Sequence, residues 1–251
     1  MFPSQSVFIG LENYIQAFND KLFLLSFINS FLYALVTVSG QLTFGLLIAI
    51  FIDKITKGRI FFRTIYYLPV VTSWVVCSLL FKYLFNSSSA GLVNFILTNI
   101  LHITSDSIQW LNEPHTSFIA LYSLGIWKGV GWTMVIFLAA IQSIPEEIID
   151  AAIMDGADGF QLVKRITIPL LFPTIILVVV MLTIGAFQTY IPIALITRGG
   201  PLHRTEVLLS YMYDRAFMDR NYGYSAALSY IIIFIVFLIS QLQMRLISNK
   251  E

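Results

Sequence analysis

The chain has 251 residues, 57% of them hydrophobic and 12% charged, against about 45–50% and about 25% in ordinary soluble domains. That balance, with a mean hydropathy of +0.81, requires a solvent that is itself apolar and argues against an ordinary cytosolic enzyme. A net charge of +1, from 15 basic and 14 acidic residues, offers nothing to nucleic acid. The single cysteine, Cys77, cannot close an intrachain disulfide, and His102, His115 and His203 are too far apart for a compact metal-ligand spacing, so no metal is expected.

In chain order, residues 1–21 come first; Lys21 is their first basic residue, so they lack the basic start of a secretory signal. Five long apolar stretches follow, at 22–52, 64–81, 116–144, 166–197 and 221–244, with Lys128 the one charge inside them. Crossing a bilayer as helix takes about 20 apolar residues, and an open chain can span only as helix, because each segment must satisfy its own backbone groups. The expected fold class is therefore all-α, a polytopic transmembrane helical bundle of about five membrane helices. The linker 53–63 carries Lys54, Lys57, Arg59 and Arg63, whereas 86–115 carries no Lys or Arg, which puts the first inside and the second outside. Alternation then places 145–165 and the tail with Arg245 and Lys250 inside, and 1–21 and 198–220 outside. The four arginines of 198–220 oppose that placement, with Glu206, Asp214 and Asp219 interleaved among them. Within 91–103, Leu92, Phe95, Ile96, Ile100 and Ile103 have helical spacing over a length too short to span, so this stretch is expected at the membrane surface. Pro69, Pro169, Pro173, Pro192 and Gly125, Gly129, Gly131, Gly185 fall inside the apolar segments, either as kinks and close packing or as the lining of a pathway.

The inner loop 144–169 is more than a connector. Pro145, Glu146 and Glu147 suit a helix first turn, Asp155-Gly156 supplies a turn, and 160–165 resumes amphipathic spacing before Pro169, so two short helices are expected. Their acidic side chains, Glu146, Glu147, Asp150, Asp155 and Asp158, would be repelled by an anionic inner leaflet and suit a basic protein partner. The run Asp150-Ala151-Ala152, Asp155-Gly156-Ala157 and Ile166-Thr167-Ile168-Pro169 with Pro173 resembles the EAA loop of binding-protein-dependent ABC importer permeases. Asp150 stands where that family usually has Glu, and Ile168 where it usually has Leu. Phe8-Ile9-Gly10-Leu11-Glu12-Asn13-Tyr14, Ile126 to Trp132, Thr197-Arg198-Gly199-Gly200-Pro201 and Tyr211 to Phe217 narrow the resemblance to the sugar-permease branch similar to the maltose and lactose transporters.

The resemblance implies a single permease domain, 22–247, containing the coupling loop 144–169, between an external lead segment, 1–21, and a cytoplasmic tail, 248–251. It implies a multi-pass chain of a bacterial or archaeal inner membrane that carries a carbohydrate from an extracytoplasmic solute-binding protein. Its implied partners are a second homologous permease and two ATPase subunits, with ATP and Mg bound by the ATPases and no cofactor in this chain. Asp150, Ala151, Ala152, Asp155, Gly156, Ala157, Ile166 and Pro169 would form the ATPase-coupling surface. The chain itself has no Gly-x-x-x-x-Gly-Lys-Ser/Thr loop for ATP chemistry, so it is expected to transmit and not to hydrolyse.

An ionisable residue inside a membrane segment costs roughly 2.5–3.5 kcal/mol unless it faces protein or water, so Lys128 should point inward. Gly125, Lys128, Gly129 and Trp132 share one helix face, offering an aromatic plane and a donor to a sugar. The other reading makes Lys128 a partner to a backbone carbonyl and Trp132 core packing. Gln188, Thr189 and Tyr190 form a second polar and aromatic cluster, either for sugar hydroxyls or as glue between helices. In maltose-type permeases the matching helices line the sugar site, which puts both clusters in the substrate pathway. The rival function is a secondary transporter or channel without an ATPase; it would call for carboxylates inside the segments, and none is present there. In the family a first membrane helix usually precedes the region of Phe8, so the family core of six appears here as five, through a real reduction or a start placed too late.

Overall fold

The computed structural model describes residues 7–248, so the first part of the lead segment, 1–6, and the tail residues 249–251 lie outside the described residues. Every regular element among the described residues is a helix. A short helix, α1 (Glu12–Asn19), leads into α2 (Lys21–Lys54), the longest of the bundle. Asp20 starts α2: its carboxylate accepts from the backbone N–H of Leu22 at 2.9 Å and Phe23 at 3.4 Å, which satisfies two otherwise orphaned donors.

The stretch expected as one span at 64–81 is two helices, α3 (Arg59–Val71) and α4 (Trp74–Leu84), bent by 95°. Apolar content sets where helix can lie in a membrane but not whether it is straight. Pro69 has no N–H to give Ile65, Thr72 turns extended, and the Ser73 hydroxyl accepts from the Val75 N–H to start α4 afresh. At 91–103 the helix α5 (Leu92–Phe95) continues as a wide π turn, Ile96–Ile100, under a cap organised by buried Asn94. Its amide donates to the carbonyls of Asn86, Ser88 and Ile108 and accepts from Trp110 Nε1 at 2.8 Å. α6 (Pro114–Gln142) is unbroken and holds the centre of the bundle.

The loop 144–169 forms α7 (Glu146–Met154) and α8 (Gly159–Leu162), then a π turn, Val163–Thr167, and one turn of helix, α9 (Ile168–Leu170). The stretch 166–197 is likewise not one helix. α10 (Phe172–Phe187) leaves α8–α9 at 67°, stops at Gln188, and a separate π turn, Ile193–Thr197, follows Pro192, which cannot donate to the carbonyl of Gln188. α11 (Leu208–Phe217) and α12 (Tyr222–Ser248) complete the chain. Among the described residues three helices, α2, α6 and α12, are long and apolar enough to span alone, and there are up to five spans if each bent pair counts as one.

The α2–α6 contact is the most extensive, and α6 also packs on α3. At Gly131 a Cβ would lie 2.0 Å from the Tyr66 carbonyl oxygen of α3, so only glycine allows this approach. Buried Tyr33, Leu121, Leu124 and Ile193 form one core; Ala49, Met134, Phe137 and Val178 form another toward the end that carries 53–59 and 144–167. At the opposite end Asp20 accepts hydrogen bonds from the phenols of Tyr211 and Tyr224, tying α2 to α11 and α12.

Burial alone would raise the Asp20 pKa, but the bonds from Tyr211, Leu22, Tyr224 and Phe23 outweigh it and hold it below the ordinary value of 3.8. A depressed carboxylate stabilises above its ordinary pKa and loses that contribution as pH falls through the folded value. Asp20→Ala is predicted to cost about 1–2 kcal/mol, the range of a lost cap. Thermal unfolding of the purified protein should show a lower Tm for the variant at neutral pH, with the gap narrowing as the pH drops below 3.8.

Candidate functional site

α7 stands away from the bundle; every residue in it is at least partly exposed, and its chief neighbour is α8. Its C-terminus is closed by paired backbone bonds, Gly156 N–H to the Ile153 carbonyl at 3.0 Å and Ala157 N–H to the Ala152 carbonyl at 2.9 Å. This is a Schellman motif, which needs a left-handed residue after the cap, and Gly156 supplies it with φ of +83°. Asp155 is the cap itself, and Asp158 restarts the helix by accepting from the Gln161 N–H at 2.8 Å. Asp150, Ala151 and Ala152 lie in the second half of the projecting α7, whereas Ile166 lies in the π turn and Pro169 in α9, on the segment that leads into α10.

That projection shows apolar and acidic groups together. Met154 is 88% exposed and Phe160 is 75% exposed, with Ile148 and Ile153 beside the acidic side chains of Glu147, Asp150 and Asp155. Behind it lies a cavity of about 380 Å³, walled by Ile50, Gln142, Ile149 and Thr167 and by the Asp53–Arg59 ion pair at 2.7 Å. The loop runs from the end of α6 to the start of α10, and Lys54 of α2 approaches it at Gly159.

Lys128 is buried, and its ammonium donates to the carbonyls of Pro69 at 2.8 Å, Val70 at 3.3 Å and Thr72 at 2.5 Å. These are the carbonyls left unpaired where α3 stops, and the same ammonium lies 4.8 Å from the centre of the Trp74 ring. Of the two readings open for Lys128, the backbone partnership is the one present. Trp74 faces this cation, and nothing in the spacing from 74 to 128 signals that contact. Gly129 packs on Gln41, whose Oε1 would lie 2.1 Å from an added Cβ, and half-buried Trp132 packs against the Met134 and Phe137 core.

Gln188 is exposed at the end of α10, while Thr189 and Tyr190 are half-buried in the break before the π turn. The Tyr190 ring packs on Tyr213 of α11, tilted by 35° with centroids 4.5 Å apart. Tyr190 also lines a cavity of about 370 Å³ with Arg198, Glu206, Ser210 and Asp214, of which sequence reasoning treated Glu206 and Asp214 only as loop acids interleaved with the arginines.

Residues 41–249 match the family described as the binding-protein-dependent transport system inner membrane component. The chain belongs to this family. As a permease it is 33% identical over 246 residues to the probable ABC transporter permease protein YurN of Bacillus subtilis, covering 97% of this chain and 84% of that one. It is 31% identical over 250 residues to the multiple sugar-binding transport system permease protein MsmF of Streptococcus mutans, covering 97% and 82%. It is 32% identical over 251 residues to the sn-glycerol-3-phosphate transport system permease protein UgpA of Salmonella choleraesuis, covering 99% and 83%. Among solved structures, a chain of a bacterial ABC transporter that imports the acidic polysaccharide alginate superposes with a TM-score of 0.86 at 25% identity, covering 98% of this permease and 85% of that chain. A second, of an alginate ABC transporter with its alginate pentasaccharide-bound periplasmic protein, gives 0.84 at 26%, covering 94% and 81%.

Hydrogen bonds to a charged group contribute about 1.5–3 kcal/mol. Lys128→Met, which keeps the length and removes the donors, is predicted to lower stability by about that range, measured as thermal unfolding of the purified permease in detergent. An unchanged Tm would show that the break between α3 and α4 does not depend on the ammonium.

Proposed function

We propose that this permease is the membrane-spanning subunit of an ATP-driven carbohydrate importer in a bacterial or archaeal cytoplasmic membrane. It receives sugar from an extracytoplasmic solute-binding protein and works with a second permease and two ATPase subunits, which hold ATP and Mg²⁺. The observation that carries the reading is the Schellman-capped α7, an exposed apolar and acidic knob with no cover from its own chain. A soluble cleft with basic residues on its rim complements that surface, and a bilayer of anionic lipid does not. The names of the relatives, a sugar system and a glycerol phosphate system, support a hydroxyl-rich cargo.

In this reading the end bearing 53–59 and 144–167 faces the cytoplasm. Asp150 and Asp155 meet basic groups of the ATPase, and Ala151, Ala152 and Ala157 keep the knob slim enough to seat. Closure of the ATPase pair pushes α7; the push passes through Ile166 and Pro169 into α10 and through 143–145 into α6. Trp132, Gly129 and the Gln188, Thr189 and Tyr190 break belong to the pathway wall, which Lys128 braces. Gln188 is left uncovered by its own chain, as expected of a group that meets the sugar path or the second permease.

Gly156 gives the test, because an added Cβ there meets nothing within 4 Å and only the positive φ is at stake. Gly156→Val should cost roughly 1–2 kcal/mol at that position, unwind the end of α7, and abolish co-purification of the ATPase pair together with sugar uptake. Gly156→Asn, which tolerates the left-handed region, should retain most of both. Equal, normal assembly and uptake in both variants would remove the coupling role.

A further inference from the structure

The cavity beside Tyr190 lies away from α7, against the turn that follows the π helix. Its lining is mixed: Ile193, Ala194 and Met218 give apolar surface, and Arg198, Glu206, Ser210 and Asp214 give the polar groups. Glu206 is 2% exposed yet lines the cavity; its Oε2 accepts from the Ser210 hydroxyl and its Oε1 lies 3.3 Å from His203 Nδ1. A carboxylate can accept about four hydrogen bonds, so two acceptor positions remain for an occupant. Asp214 lines the same space one helical turn along α11. Burial and the neighbouring Glu206 raise its pKa, the mark of two carboxylates sharing a confined volume. Arg198 is the cation of the lining, whereas Arg215 is spent on Asp219 at 2.5 Å and on the face of Tyr211.

An aromatic ladder adjoins this wall. Tyr190 packs on Tyr213 and Tyr213 on Phe217, each pair tilted by about 35° with centroids 4.5 Å apart, and the Phe217 ring reaches the surface with 60% exposure. Flat rings beside paired carboxylates and one guanidinium are the groups that hold a sugar: the ring face takes its C–H surface, and the carboxylates take vicinal hydroxyls.

We infer that this cavity is a carbohydrate subsite at the end of the permease opposite α7, selective for neutral sugar units over uronates. The inference rests on the importer reading and adds to it the charge class of the cargo. With Glu206 and Asp214 set against Arg198, the wall carries an excess negative charge. A uronate would be repelled, and a neutral hydroxyl-rich ring would be accepted by the carboxylates without a like-charge penalty. The permease would therefore differ in cargo from the importer of acidic alginate that it superposes on.

The test uses the whole transporter in nanodiscs without binding protein. Saturation-transfer NMR is recorded with the neutral trisaccharides maltotriose and raffinose and with the acidic trigalacturonate. The expected result is saturable binding of a neutral trisaccharide, at least tenfold tighter than trigalacturonate. Tyr190→Ala should weaken the neutral sugar about tenfold. Asp214→Asn should narrow the preference by strengthening trigalacturonate, an effect that mere loss of structure would not produce. Absence of neutral-sugar binding, equal affinity for the acidic probe, or variants that match the wild type would overturn the subsite. If such a preparation still carries its ATPase pair, the importer reading stands without the subsite; if the pair never assembles, both fall.

Discussion

The ammonium of Lys128 and the backbone carbonyls at the end of α3 solve each other's problem. In an apolar medium the carbonyls freed by the break have no water to accept from, and a lysine at that depth has no counter-ion. Placed together, at 2.5 to 3.3 Å, they fix α6 to the corner of the broken pair. α6 is held on its other side by α2 and lies so close to α3 that Gly131 touches the Tyr66 carbonyl. The centre of the bundle is thus closely packed, and the carbonyls freed at the break are met by the Lys128 ammonium.

The periphery has the opposite character. α7 lies in the loop that runs from the end of α6 to the start of α10, beside a cavity of about 380 Å³. α8 to α10 run as one bent rod, with a π turn at Val163–Thr167 and a bend of 67° before Phe172. A push on an exposed knob is therefore delivered to α6 and α10, the two helices flanking the core of Met134, Phe137 and Val178. Under the proposed function, a closely packed centre and a projecting loop would convert a docking event into relative movement of membrane helices. At the far end Asp20, Tyr211 and Tyr224 bind α2 to α11 and α12, and the Glu206 network binds the turn after Thr197 to α11.

The long apolar stretches at 22–52, 116–144 and 221–244 were readable as α2, α6 and α12 because length and absence of charge decide what can span. The same criterion was blind at 64–81 and 166–197. Whether such a stretch bends depends on where freed carbonyls find donors, and that donor, Lys128, is more than fifty residues away from Thr72. Asp155-Gly156 was readable as a turn because a helix C-terminus makes a local demand on the backbone. Lys128 as a brace and Glu206 with Asp214 as a shared wall were not, because each depends on elements brought together only by the fold. In the stretch 198–220 the arginines were the visible signal; the burial of Glu206 has no signature in the local sequence.

The central claim, that α7 seats in an ATPase subunit, is tested most directly by proximity. In a chain carrying Cys77→Ser, a single Met154→Cys substitution places a thiol at a position 88% exposed on the knob. In membranes containing the assembled transporter, the account predicts a disulfide-length cross-link from this thiol to a cysteine in the ATPase cleft, with a yield that changes when ATP binds. No cross-link from that position, together with efficient cross-linking of the ATPase to Leu202→Cys at the opposite end, would contradict it.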